Sequence, residues 1–434
     1  MPPTLFDATG RPVDVRALTT PADDTTVAGV RPLGFFPRHP ADGITPQRLS
    51  ALLRMAEYGD TISYLELAEQ MEERDLHYRA VLGVRKRSVV QLPLQVVAAG
   101  DDADSVADAE LVRDALNRDE LADELFDLCD AIGKGYSILR VVWETSARSW
   151  MPRSFTWRDP RWFRPVGIDG RSFALRTEDN GAEPLPPYAF ITHTGKEKSG
   201  APVRGGIARI ASWAYLFKNY NIKDWASFIE TFGQPFRVGK YEPGATAEDK
   251  QALLSALVNI GADAAAMIPR SMLLEFLEVS RSSTDMYERA ADWWDRQVSK
   301  VVLGQTGTTE VKGGSYAAAK VHNEVRGDIQ AADAAQVAAT LNQQFVRPVV
   351  DLNRGPRKRY PRVVLRLPRD RGVADMADAI GTLVDRGLEL EQSVVRDELG
   401  FPEPGPGAKL LSPFRKDPAV PPHPAPVVVG PEDA

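Results

Sequence analysis

Proline sets the first limit on what this chain can fold into. Of its 33 prolines, eight fall in residues 1–46 and ten in residues 401–434, leaving fifteen for the 354 residues between. Proline fixes φ and lacks an amide donor, so neither end can hold a long helix or a central strand. Both ends therefore read as extended arms, and the stretch from Pro418 to Pro431 as disordered. Regular structure is expected within residues 47–400, where no internal repeat is visible.

Inside that body the hydrophobic period changes several times. Leu67, Met71, Leu76, Val81, Val84 and Val89 recur at helical spacing and predict one helix over residues 65–90, limited by Pro93. Two helices are expected near 104–117 and 119–132, stopped by Gly133-Lys134-Gly135. A β-branched and aromatic run predicts a strand over 136–143. Residues 144–204, with short apolar runs between prolines and glycines, read as a small β-rich module. Gly205-Gly206 then opens a helix over 207–232, striped by Ile207, Ile210, Trp213, Phe217, Trp225, Phe228 and Phe232 and stopped by Gly233 and Pro235. Such a helix is about 40 Å long, more than a compact domain needs. A strand at 236–239 follows, and Thr246 with Asp249 marks a capping box for a helix to about residue 260. Strands are expected at 265–269, 272–279 and 362–367, and helices at 285–303, 316–346 and, as a pair, 373–399. Helices and strands come in blocks, without the alternation of a doubly wound sheet, so the fold class is α+β.

Composition narrows the function. Hydrophobic residues at 43% and charged residues at 26% describe an ordinary globular chain. The net charge is −7, from 53 basic and 60 acidic residues. A protein that grips a nucleic-acid backbone carries a basic excess, so this chain either avoids nucleic acid or meets it without gripping. Its one cysteine, Cys129, excludes a disulfide framework and a multi-cysteine zinc site. No signal peptide or membrane-spanning run is visible, which points to a soluble protein kept in a reducing cytoplasm.

Catalytic signatures are missing. No two of His39, His77, His193, His322 and His423 lie within five residues of each other, so no zinc pair forms on a helix. Cys129 sits on the apolar face of Leu125, Leu128 and Ile132 and reads as a buried small hydrophobe. The glycine-rich loop 304–314 fails as a phosphate cradle: it follows a helix, and Lys312 precedes Gly313-Gly314-Ser315. It reads as a flexible connector. Two basic clusters interrupt the acidic total. Residues 148–171 hold six arginines against Asp159 and Asp169, interleaved with Trp150, Phe155, Trp157, Trp162 and Phe163. Arginine with aromatics serves base stacking or protein contacts, and the β-rich surroundings favour protein contacts. Residues 354–371 hold eight basic residues against Asp370, as a charged edge strand or a binding patch.

Three stretches carry a family resemblance. One runs Lys218-Asn219-Tyr220-Asn221-Ile222-Lys223-Asp224-Trp225-Ala226-Ser227-Phe228-Ile229-Glu230 into Phe232-Gly233-Gln234-Pro235-Phe236-Arg237-Val238-Gly239-Lys240-Tyr241. The second is Val302-Leu303-Gly304-Gln305-Thr306, with Gly313-Gly314-Ser315-Tyr316-Ala317 and Lys320-Val321-His322-Asn323-Glu324-Val325-Arg326. The third is Gly387-Leu388-Glu389-Leu390 with Val395-Arg396-Asp397-Glu398-Leu399-Gly400-Phe401-Pro402-Glu403-Pro404. Over residues 45–412 the chain resembles the Mu-like portal proteins of tailed phages.

The resemblance implies a portal-type fold with a mixed α/β wing, long stem helices, a small β-rich clip and a helical crown-side segment. Carried over, residues 1–46 are an extended arm, 47–149 the first part of the wing, 150–204 the clip and 205–235 a stem helix. Residues 236–371 complete the wing with an inward loop at 304–315, 372–412 lie on the crown side, and 413–434 form a flexible tail. It also implies a ring of about twelve copies, a heterologous assembly that closes by rotation. Double-stranded DNA would pass through its channel, packaged by the terminase large subunit. A head–tail adaptor and the major capsid or scaffold protein are the further partners, with no membrane, cofactor, metal or catalytic site. The ring would sit at the portal vertex of a virion after assembly in the host cytoplasm. Lys218, Lys223, Thr308, Thr309 and Lys312 are then candidates to face DNA. Arg153, Trp157, Arg158, Arg161, Trp162 and Arg164 are candidates for the terminase or adaptor interface. Two other classes stay open at this point: a nucleic-acid-processing enzyme, and a scaffold or minor capsid protein of the head interior.

Overall fold

A computed structural model describes residues 5–7, 10–19, 41–145, 149–177, 181–232, 237–242, 244–259, 265–269, 282–306, 316–367, 373–389 and 395–396. The chain divides into two compact units, residues 1–368 and 369–434. The expected strand at 272–279, the stop at Gly233 and Pro235, and the tail from 413 lie outside the described residues.

The first unit opens with a short helix, α1 (Val15–Thr19), preceded by a bridge between Phe6 and Pro12. Leu5, Val13 and Leu18 are buried in the core, and the Phe6 carbonyl accepts a hydrogen bond from the Tyr188 hydroxyl at 3.0 Å. The N-terminal arm is thus docked and partly helical over its described start, because three apolar side chains give it something to bury. Helix α2 (Pro46–Glu57) begins on Thr45, whose hydroxyl accepts from the Arg48 amide, with Pro46 in the first turn where no donor is needed. The single helix expected over 65–90 is two, α3 (Ile62–Arg74) and α4 (Leu76–Val90). Asp75 separates them: its backbone is extended, and its carboxylate accepts from the amides of His77 and Tyr78, both at 3.0 Å.

Strand β1 (Leu94–Val97) leads to α5 (Ala103–Leu116), then α6 (Leu121–Leu128) and α7 (Asp130–Lys134), which break the expected 119–132 helix at Cys129. Gly135 ends α7 at φ +98°, and a side chain there would meet the Pro202 carbonyl at 2.3 Å. Six strands follow: β2 (Tyr136–Glu144), β3 (Met151–Arg158), β4 (Phe163–Val166), β5 (Ser172–Arg176), β6 (Ala182–Pro184) and β7 (Phe190–Thr194). They form two antiparallel sheets in the orders β3-β2-β7 and β4-β5-β6. Residues 150–204 therefore do not stand apart. β3 and β7 flank β2, so a boundary at residue 149 runs through a sheet whose Tyr136, Ile138 and Ile191 are wholly buried.

Helix α8 (Ile207–Phe232) comes next, then β8 (Arg237–Tyr241), α9 (Ala247–Asn259) and β9 (Ala265–Pro269). β8 and β9 pair in parallel around α9, a single βαβ unit that the block pattern did not foretell. The capping box forms as expected: the Asp249 amide donates to the Thr246 hydroxyl, and the Asp249 carboxylate accepts from the Thr246 amide. Helix α10 (Ser282–Leu303) precedes α11 (Tyr316–Leu341), which passes through one π-helical turn at Asn342–Val346 into α12 (Arg347–Arg354). Strand β10 (Arg362–Leu365) pairs with β1. The second unit contributes α13 (Val373–Asp385).

The α11–α12 rod fastens the unit through carboxamides that act as substitute strand edges. Gln344 accepts from the Thr192 amide and donates to its carbonyl, both at 2.8 Å, on β7. Asn342 does the same for Val363 on β10 at 2.7 and 2.9 Å, and Asn353 for Trp150 at 2.7 and 2.8 Å. Phe345, from the same π turn, packs edge-on against Phe155 at 5.0 Å. The extra residue of a π turn lets Asn342 and Gln344 reach two different sheets from positions two apart.

Candidate functional site

α8 and α10 form an antiparallel hairpin, since residues further along α8 meet earlier residues of α10. Phe217 stacks on Trp294 at 5.5 Å, Asn221 donates to the Tyr287 carbonyl at 2.6 Å, and Phe228 meets Tyr287 at 5.8 Å. Lys218 lies inside this hairpin. Its ammonium is held by Asp75 at 3.0 Å and Asp295 at 2.6 Å, and these carboxylates outweigh burial to raise its pKa. Its charge is thus matched within the chain. Lys223, just over one turn on, is exposed. His77 of α4 bonds Ser299 at 2.7 Å and holds the upper part of α10 to the body.

The glycine-rich loop begins where α10 ends. Gly304 has φ +70°, and a side chain there would strike Ile329 and Val325 of α11 at 2.8 and 2.9 Å. Arg85 of α4 locks this junction. It pairs with Asp333 through two bonds of 2.7 and 2.9 Å, donates to the Val302 carbonyl at 3.0 Å and reaches Glu197. Thr308, Thr309 and Lys312 lie outside the described residues.

The arginine–aromatic cluster runs along β3, the turn Pro160–Trp162 and β4. Most of it is committed within the chain. Arg161 pairs with Asp159 at 2.5 Å and Glu66 at 3.6 Å, and Trp157 lies 5.5 Å beneath the Lys134 ammonium. Arg158 donates to the Trp157 carbonyl at 3.4 Å, and Trp162 packs half-buried on the core. Arg164 is half-buried beside Gly59, while Arg153 is exposed. The tip of the β4–β5 hairpin adds a residue that sequence reasoning missed. Ile168 stands fully exposed between Gly167 and Gly170, both of positive φ. Those two glycines, flanking an apolar residue in a short turn, were the available signal.

Known proteins place this arrangement in a family. Residues 65–401 match the family described as "Portal protein of Mu bacteriophage". The chain is 34% identical over 373 residues to "Mu-like prophage FluMu protein gp29" of Haemophilus influenzae, covering 84% of this chain and 72% of that one. It is 31% identical over 407 residues to "Portal protein" of Escherichia phage Mu, covering 92% and 78%. A solved structure titled "Neck of empty GTA particle computed with C6 symmetry" aligns with 82% of this chain and 94% of its own, at 15% identity and a TM-score of 0.45. The chain belongs to the Mu phage portal protein family.

Two further groups singled out in the sequence of this portal chain, Cys129 and His193, lie inside it. Cys129 is buried, and burial pushes its thiol up to about 12. His193 is buried against Thr340 at 2.8 Å, and burial pushes its imidazole down to about 4. Among the described residues no cluster of His, Cys, Asp and Glu is placed to hold a metal, and no helix is long and apolar enough to cross a membrane. The second basic cluster meets acid from its own chain: Arg354 and Arg357 pair with Asp108 at 3.4 and 2.9 Å. That acid belongs to a dense run, since residues 101–130 hold twelve carboxylates against Arg113 and Arg118. The net negative charge of the portal chain resides in this one stretch.

Proposed function

We propose that copies of this chain close into a ring of about twelve around an open channel, a heterologous assembly completed by rotation. Double-stranded DNA passes through the channel at one vertex of a phage head. The terminase large subunit drives it in, a head–tail adaptor joins the ring to the tail, and capsid or scaffold protein surrounds it. The role is structural, in the virion after assembly in the host cytoplasm, and calls for no catalytic step. The observation that carries this reading is the portal-family match from residue 65 to 401, which spans the body, the α8–α10 hairpin and the loop after it.

The fold supports a particular division of labour. The long hairpin suits the stem. The β8–α9–β9 unit between its two helices suits the clip better than residues 150–204, whose strands are bound to β2. The loop after Gly304, with Thr308, Thr309 and Lys312, is the candidate to face DNA. Lys218 is neutralised by Asp75 and Asp295 and serves to position the hairpin. A chain with no basic excess, at net charge −7, lets DNA slide, because it holds the phosphates weakly. Within the arginine strip, exposed Arg153 and the Ile168 tip are offered to the adaptor or terminase.

Native mass spectrometry and negative-stain images of the purified chain test the proposal. Rings of about twelve with an open centre are expected from the closed symmetry. A chain that stays monomeric at micromolar concentration and moderate salt overturns it.

A further inference from the structure

We infer that the α8–α10 hairpin is two-faced and joins consecutive copies of the chain, the Ile222/Ala226/Ile229 stripe of one copy packing on the Met286/Trp293 stripe of the next. The inference rests on the ring reading above and names the contact that would build it.

Helical geometry places the two stripes. An α-helix turns about 100° per residue. From the line of α8 that faces α10, through Phe217, Asn221 and Phe228, the stripe Ile222, Ala226 and Ile229 lies roughly 130° forward in chain sense. From the line of α10 that faces α8, through Tyr287 and Trp294, Met286 and Trp293 lie roughly 100° backward. In antiparallel helices, rotations of opposite sense emerge on opposite faces of the pair. Each stripe is open in the single chain: Ile222 is 42% exposed, Ile229 51%, Met286 60% and Trp293 49%. Apolar side chains of this size, repeated at helical spacing on both faces, mark surfaces built to be covered.

Two features select a second copy as the occupant. First, two different surfaces on opposite faces make a head-to-tail contact, which closes by rotation, whereas a two-fold dimer needs one self-complementary face. Second, the levels agree. The bond from Asn221 to the Tyr287 carbonyl sets Ile222 and Met286 at one height on opposite faces. Rotation about an axis along the hairpin adds no shift, and helical side chains lean toward their own N-terminus. Met286 therefore leans onto small Ala226, between the two isoleucines. Trp293 is also preset, since its ring meets Trp294 edge-on at 4.6 Å and Trp294 is stacked on Phe217. An aromatic held in place loses little entropy on docking.

Cysteine cross-linking of the full chain tests the contact. Native Cys129 is buried and does not compete. Ala226→Cys combined with Met286→Cys should give, on oxidation, a ladder of covalent multimers on denaturing gels. Each single variant should give at least tenfold less, because its one accessible cysteine meets no second cysteine across the contact; in the double variant the two cysteines of one copy sit on opposite faces, beyond disulfide reach, and cannot consume each other. Wild-type rings with no ladder from the double variant overturn the inference and leave the ring reading standing. A wild-type chain that forms no ring removes both.

Discussion

The helical body and the α8–α10 hairpin handle their side chains in opposite ways. In the body, charges are taken inside and paired. Lys86 meets Asp130 at 2.9 Å and Glu72 at 3.0 Å, and Lys134 meets Asp130 and Glu69 at 2.5 Å each. In the hairpin, apolar side chains are left outside on both faces. The buried charge network of the body is matched within one chain, whereas the apolar stripes of the hairpin have no cover within it. The difference teaches where to look for function: the interactions that hold the protomer together lie apart from the surfaces that face other molecules.

The largest effect should come from opening the charge network. Asp130→Ala leaves two buried ammoniums sharing only Glu69 and Glu72. Removing one partner of a buried ion pair costs about 3–5 kcal/mol, far more than the intact pair contributes. Denaturant melts followed by circular dichroism measure the loss. A cost below about 1 kcal/mol, the scale of a surface pair, would erase the contrast between the regions.

A second test uses acid. Burial holds the imidazole of His193 down at about 4, below the ordinary value of about 6.5. The unfolded chain therefore binds the proton first. The stability due to neutral His193 is whole above pH 6.5 and drains away as pH falls toward 4, by at most about 3 kcal/mol. Asp127 works the other way. Burial first, then Asp130 and Asp123, raise its carboxyl to about 6, so its ionisation costs stability above that pH and the cost lifts as pH falls toward the unfolded value. Comparing wild type with His193→Gln isolates the histidine. The gap between them should shift by about 2 kcal/mol in favour of the glutamine variant from pH 7.5 to pH 5. A gap independent of pH would show that His193 titrates normally.

Next in size is the carboxamide fastening. Gln344→Ala strips partners from both the amide and the carbonyl of Thr192, and a buried group left unsatisfied costs about 1–3 kcal/mol. Amide exchange at Thr192 should accelerate with it. Unchanged exchange would mean that water replaces the glutamine at the β7 edge.

Local features were legible from sequence where the partners are neighbours in it. The Thr246–Asp249 box, the stop at Gly135 and the span of α8 all follow from residues a few positions apart. Asp75 showed how a local signal is missed: its capping role was overridden by an apolar count that included Leu76, which stands 86% exposed at the start of α4. The site was less legible. Lys218 was a candidate to face DNA, and its partners Asp75 and Asp295 could not be seen because they are 143 and 77 residues away. Arg161 was an interface candidate on a count of charges, which does not show that Asp159 and Glu66 pair with it. The two faces of the hairpin were hidden for the same reason. The stripe read on α8 was the one facing its own α10, and the lateral one becomes visible only when α10 is in place.

The smallest expected effect gives the sharpest form of the comparison, because one chemical change can be made in both regions. Ile138 on β2 is wholly buried, and Ile222 on α8 is 42% exposed. Ile138→Ser removes a packed side chain and buries a hydroxyl, so it should cost about 3–5 kcal/mol. Ile222→Ser removes a side chain that the protomer leaves open, and it should change stability by less than about 0.5 kcal/mol. Assembly adds to apparent stability by mass action, so both melts belong at a dilution where copies are apart. At concentrations that favour rings, the order of consequence reverses for assembly: Ile222→Ser should abolish rings made from protomers that melt normally. If Ile222→Ser instead destabilises the dilute protomer as much as Ile138→Ser does, the lateral stripe of α8 belongs to the chain's own core and the two regions do not differ in kind.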